Sequence, residues 1–295
     1  AGPLVIVVGL IATVWGLHVG HGLGPLFDQP SHLSGAHGWL VFATGVTGLT
    51  GVWCTFAVNI PDLSRFVRSE ADQVIGQLIG LPITAVVFTL MSVIVTSATV
   101  IVFGHPIWDP VALLMAINQP WLLFLGGITV IVATLSVNVA ANIMPACYDL
   151  MNLFPRRLNF ISAGMAVMLI GLLFFPWLWF QNADSIFKVL GGIGGLLGPV
   201  TGIMLADYFG LRGQSYDVPD LYRYDGRYGA SGGWNRAGIG AFIIGGLAAF
   251  SGLIIPALAT LYAFSWFIGV AVGAVAYLLL ARSMAQSGVP VPAVR

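Results

Sequence analysis

Eight times in 295 residues the chain runs through a stretch of apolar residues with almost no charge, each about as long as the roughly 20-residue helix that crosses a bilayer. The runs fall at about 3–24, 38–61, 79–104, 121–146, 160–180, 185–207, 236–256 and 258–281. In lipid every backbone N–H and C=O must find a partner within the protein, and a continuous apolar run does so only as a helix. Only 7% of the residues are charged, where a soluble domain carries about a quarter. The expected class is an all-α polytopic membrane protein, with residues 1–295 forming one transmembrane domain in contact with the lipid bilayer. The stretch "AGPLVIVVGLIATVW" enters an apolar run with neither a Met nor a basic leader, so the expectation is a domain whose N-terminal part is missing.

Arginine placement predicts the orientation. Arg65 and Arg68 follow the second run, Arg156 and Arg157 the fourth, Arg212, Arg223, Arg227 and Arg236 the sixth, and Arg282 and Arg295 the last. Lys188 alone lies toward the other side. Basic loops stay in the cytoplasm, so both ends of the chain are expected there, in a plasma or inner membrane. The formal net charge of 0 implies no nucleic-acid partner.

Polar residues inside such runs face protein or a cavity, because lipid offers them nothing. Asn138 and Asn142 are four apart, on one helical face, with Thr134 and Ser136 a turn earlier. They can bond neighbouring helices or line a polar pocket. An amide supplies both donor and acceptor, which suits the edge of a planar lactam or ureide. Gly45, Gly48 and Gly51 precede Trp53. Such glycines allow either close helix packing or an unwound turn, and Trp53 either anchors at the interface or stacks on a flat ligand. Gly191 with Gly195, and Gly194 with Gly198, make small-xxx-small pairs, Gly198-Pro199 is a candidate bend, and Leu190 just before them could plug a site. Asp62 and Arg65 are spaced to pair on a helix end, while Asp149, Asp207 and Lys188 lie where water or snorkelling can satisfy them.

Catalytic readings have no anchor. The chain has no HExxH, no GxSxG and no phosphate-binding loop. Cys54 and Cys147 read as two free, buried thiols. The five histidines, His18, His21, His32, His37 and His105, gather toward the external side without a zinc-ligand spacing.

Five stretches carry a family resemblance: "GVWCTFAVNIPDLSRFVRS", "SATVIVFGHPIWDPVALL", "NVAANIMPACYDLMNLFPRRLNF", "GLLGPVTGIMLADYF" and "DVPDLYRYDGRYGASGGWN". With them, over most of residues 45 to 236, the chain resembles the C-terminal two-thirds of the nucleobase–cation symporter family 1, the hydantoin, allantoin, uracil and cytosine permeases. The resemblance implies a leucine-transporter-like inverted-repeat fold, of which this chain would supply the fifth to twelfth helices. It implies a secondary active transporter that imports a nucleobase-like ring with a cation by alternating access. The competing expectations are a symporter of another small solute on the same fold and a non-transporting receptor or scaffold. For substrate binding it implies Trp53 stacking on the ring, the backbone at Val52, and the amides Asn138 and Asn142. Leu190 falls at the family's gate. A sodium site would use the carbonyl of Ala133 and hydroxyls at positions 136 and 137, and here Ser136 supplies one but Val137 cannot. The resemblance implies no organic cofactor, and a coupling ion that is Na+ or H+.

Overall fold

A computed structural model of the chain describes residues 2–28, 33–179, 183–221, 223, 226, 228 and 234–286. His32, Arg227 and Arg295, and part of the loop motif after Asp220, lie outside the described residues. Among the described residues the structure is helical, and eight helices are long and apolar enough to cross a membrane. They are α1 (Gly2–Val19), α2 (Gly35–Asp62), α3 (Glu70–Phe103), α4 (Pro120–Leu153), α5 (Phe160–Trp179), α6 (Ser185–Leu211), α7 (Arg236–Ile254) and α8 (Pro256–Gln286).

Helix ends follow local chemistry. α3 starts at Glu70, well before the apolar run near residue 79, because Ser69 caps it by accepting the Asp72 amide at 3.1 Å. Asn159 and Ser162 form a reciprocal capping box at the start of α5. Gly104 closes α3 in the left-handed conformation at φ 76°, where a side chain would be strained.

Among the described residues three helices widen into π turns. Ile79–Ile83 contains Pro82, and Asn138–Ile143 is followed by Pro145. Proline has no N–H and its ring crowds the carbonyl four residues back, so the helix accommodates it by loosening a turn. The third π turn, Ala206–Leu211, has no proline; there the Arg212 amide reaches the Asp207 carbonyl, five residues back, at 2.9 Å.

The helices fall into two compact units. One holds α1, α3, α4 and α5 as far as Phe174. Within it Leu114 fills the notch at Gly126, and Thr99 is fully buried and accepts the Ile107 amide at 2.8 Å. The other holds α2 as far as Ile60, residues from Phe175, and α6, α7 and α8. Its centre is Pro199, fully buried against Gly245 of α7 and Gly269 and Gly273 of α8. A Cβ on Gly245 would stand 2.9 Å from the Pro199 ring, and one on Gly269 would stand 2.7 Å from it. α6 is a continuous helix through Gly198-Pro199. The glycines at this point serve contact between helices. Cys54 and Cys147 are free and buried, as the sequence predicts.

Candidate functional site

The amide pair sits on the π turn of α4. Asn142 donates from Nδ2 to Oδ1 of Asn138 at 2.6 Å, and both side chains are exposed within the chain. The bond fixes the two amides side by side. It leaves the Asn142 carbonyl and the Asn138 amino group outside this bond, one acceptor beside one donor. A planar ring with adjacent C=O and N–H groups matches that face. The backbone causes the display: Pro145 loosens the turn and is itself buried, which anchors the C-terminal side of the π segment.

One helical turn earlier, Ala133, Ser136 and Val137 lie in the regular part of α4, which is α-helical through Val137. Ser136 carries one hydroxyl and Val137 presents an exposed isopropyl group. A hard cation prefers oxygen ligands, so the pair of side chains offers one oxygen where two hydroxyls would offer two. Among the described residues no group of three or more His, Cys, Asp or Glu side chains could hold a metal ion.

Trp53 belongs to the other unit. α2 is broken immediately after it: the helix ends at Trp53 and resumes at Phe56. The Ala57 amide donates to the Cys54 carbonyl, three residues back, at 3.1 Å, in place of the regular four-residue bond. The freed acceptors are partly met by side chains. The Cys54 thiol reaches the Gly51 carbonyl at 3.2 Å, and the Thr55 hydroxyl reaches the Val52 carbonyl at 3.5 Å. Trp53 is 43% exposed and its ring tilts 32° against Phe56, with centroids 5.8 Å apart. Its indole therefore keeps a face open for stacking.

The glycines ahead of the break divide in function. A Cβ on Gly48 would stand 2.6 Å from the Phe187 ring, and one on Gly51 would collide with the carbonyl oxygen of Leu190. Gly45 has open space around it. Two of the three thus permit close contact between α2 and α6, and that contact puts Leu190 beside the turn that carries Trp53.

Two polar features depart from the sequence-based expectations. Arg65 does not pair with Asp62 among the described residues; its guanidinium lies over the rings of Tyr148 and Phe66, at 4.6 and 4.9 Å. Asp207 is not left to water. It accepts from Tyr277 at 2.7 Å, from Tyr216 at 2.5 Å and from Arg212 Nε at 3.2 Å. Arg212 is buried and also faces the Tyr228 ring at 5.0 Å. Burial, followed by the bond to Asp207, pushes the Tyr216 phenol above its ordinary range. The signal available in the sequence was the density of Tyr, Asp and Arg in "SYDVPDLYRYDGRYG", which joins this cluster to the loop after α6.

The sequence profile described as "Permease for cytosine/purines, uracil, thiamine, allantoin" matches residues 1–269. An allantoin permease of Bacillus subtilis (strain 168) is 41% identical over 284 residues, covering 96% of this chain and 58% of the relative. A purine-uracil permease of Arabidopsis thaliana is 35% identical over 246 residues, covering 82% of this chain and 41% of the relative. Among solved structures, Mhp1, a nucleobase-cation-symport-1 family transporter in a closed conformation with bromovinylhydantoin bound, aligns with a TM-score of 0.73 at 24% identity. That alignment covers 97% of this chain and 61% of the other. Inward-facing Mhp1 aligns with a TM-score of 0.72 at 22% identity. The fold is thus the leucine-transporter-like one, and the chain spans 58% of the length of the B. subtilis relative.

Proposed function

The chain belongs to the nucleobase–cation symporter family 1, the permeases for cytosine, purines, uracil, thiamine and allantoin, and on that premise we propose that the whole protein imports a cyclic ureide or nucleobase, of the allantoin–uracil class, together with a cation. The family's members are permeases and not enzymes. The observation that carries the reading is the hydrogen-bonded pair Asn138 and Asn142 on a loosened turn of a membrane helix. Polar groups displayed in that way are costly in lipid and suit a ring edge of alternating C=O and N–H.

In this reading Asn142 and Asn138 bond the ring edge, Trp53 stacks on the ring face, and the backbone at Val52, just ahead of the break, offers main-chain hydrogen bonds. Discontinuous helices serve transporter sites in this way, because only there does the backbone have groups to spare. Leu190 closes over the ring. Uptake proceeds by alternating access, with the arginine-bearing loops in the cytoplasm. The missing oxygen at Val137 weakens the sodium site built on Ala133 and Ser136, so coupling leans toward H+ or toward loosely bound Na+.

The test is uptake of radiolabelled allantoin and uracil by the complete protein in proteoliposomes, with an imposed Na+ gradient, an imposed pH gradient, or neither. Uptake driven by either gradient and inhibited by excess unlabelled ring supports the proposal. Binding of the ring with no gradient-driven uptake or counterflow would mark a receptor instead.

A further inference from the structure

The entry into α8 makes a set of contacts that the transport reading does not use. Pro256–Phe264 is a 3-10 segment that leads into the α-helix starting at Ser265. In a 3-10 turn, residues three apart eclipse one another, and Tyr262 and Ser265 at its end are three apart. Both hydroxyls point at α6. Tyr262 donates to the Lys188 carbonyl at 2.9 Å, and Ser265, fully buried, donates to the Gly191 carbonyl at 3.1 Å. These two carbonyls bracket Leu190. Ala263, lying between the two donors, uses its own carbonyl to accept the buried hydroxyl of Thr47 on α2. The circuit closes where the Leu190 carbonyl packs on Gly51, two residues ahead of Trp53.

We infer that Thr47, Tyr262 and Ser265 are positioning residues, a clasp through which the first turns of α8 hold the start of α6, and with it Leu190, against the broken turn of α2. The inference rests on the proposed role of Leu190 as a gate and adds the residues that set how readily the gate leaves its seat. Their acceptors are helix carbonyls using a second lone pair, so the bonds can be made and broken without unravelling α6. A Cβ on Gly191 would stand 3.6 Å from the Tyr262 ring, an ordinary contact distance, so the phenol lies against that face of α6. Further along α6, Gly198 is seated on the Trp266 carbonyl and Gly202 on that of Val270, close backbone contacts with α8 that breaking the clasp would leave in place.

The experiment uses the complete protein in proteoliposomes, carrying Leu190→Cys, with N-ethylmaleimide labelling followed position by position by peptide mass spectrometry and no substrate present. Native Cys147, fully buried, reports unfolding in the same sample. Adding Tyr262→Phe removes one oxygen and keeps the ring. Loss of one such bond should raise labelling at position 190 by roughly two- to tenfold relative to Cys147, and adding Ser265→Ala should raise it further. A ratio that stays at the parent value in Tyr262→Phe, or a rise at Cys147 in step with position 190, overturns the clasp. The labelling needs no transport. Failure of ring uptake would therefore count against the transport proposal alone, and unchanged labelling in a protein that does take up the ring would count against the clasp alone.

Discussion

Removing the Asp207 carboxylate should destabilise the protein more than removing both Asp207 and its arginine. The side chain of Asp207 is 16% exposed and that of Arg212 is 6% exposed, so neither charge has water to fall back on. Asp207→Ala leaves the guanidinium buried without its carboxylate and takes the acceptor from the hydroxyls of Tyr277 and Tyr216. Breaking one side of a buried ion pair costs about 3–5 kcal/mol. Arg212 keeps the Tyr228 ring, which argues for the lower end, about 3 kcal/mol. Tyr277→Phe removes a single bond to a charged acceptor and should cost about 1.5–3 kcal/mol. In Asp207→Ala/Arg212→Met both charges go together, and most of the loss should return, because well-packed apolar replacements of buried pairs are often neutral. Denaturant unfolding of the complete protein and the three variants in detergent reads the differences. If the double variant loses as much as Asp207→Ala or more, the carboxylate does not stabilise by compensating Arg212, and the reasoning fails.

Gly202→Ala, whose methyl would run into the Val270 carbonyl, should cost about 1–3 kcal/mol of stability by overpacking, whereas Gly246→Ala, with open space around it, should gain up to about 1 kcal/mol from helix propensity; parallel melting curves separate them. The Tyr216 phenol is raised in the folded state, so the unfolded chain loses its proton first as pH climbs past about 10. Stability should accordingly be flat below that pH and fall above it, and Tyr216→Phe should flatten the alkaline loss in unfolding titrations taken from pH 8 upward. Val137→Thr should raise the sodium dependence of uptake, measured as the ratio of initial rates with and without Na+; strict sodium dependence already in the unaltered protein would refute the ligand count at this site.

Much of this architecture is written in hydrophobicity. Eight apolar runs and one chemical constraint, that lipid satisfies no backbone group, lead directly to eight helices. The site is only half legible. The spacing of Asn138 and Asn142 put two amides on one face, but not their mutual hydrogen bond. That bond depends on the π turn, whose cause, Pro145, reads in the sequence as an ordinary helix start. Gly48 and Gly51 suggested either unwinding or packing. They pack, and the helix breaks three residues later at Cys54 and Thr55, which carry no breaking signal of their own. Gly198-Pro199 suggested a bend; what the sequence did not reveal is that the proline fills a notch made by three glycines more than 40 residues away. Asp207 was assigned to water because its partners, Tyr216 and Tyr277, come from a loop and from another helix. Local patterns reveal which groups need partners; which partners they find depends on contacts distant in sequence.

The central claim is that the amide pair on α4 exists to bind a ring, and Asn142→Ala in the complete protein tests it most directly. Titration of the detergent-purified variant with allantoin and uracil should show affinity weakened by about 1–3 kcal/mol, the cost of leaving a buried polar group unpaired on the ligand or the protein, with a melting curve close to the parent's. Parental affinity in a variant whose melting temperature has dropped would contradict the account and make the pair a stabilising contact between helices.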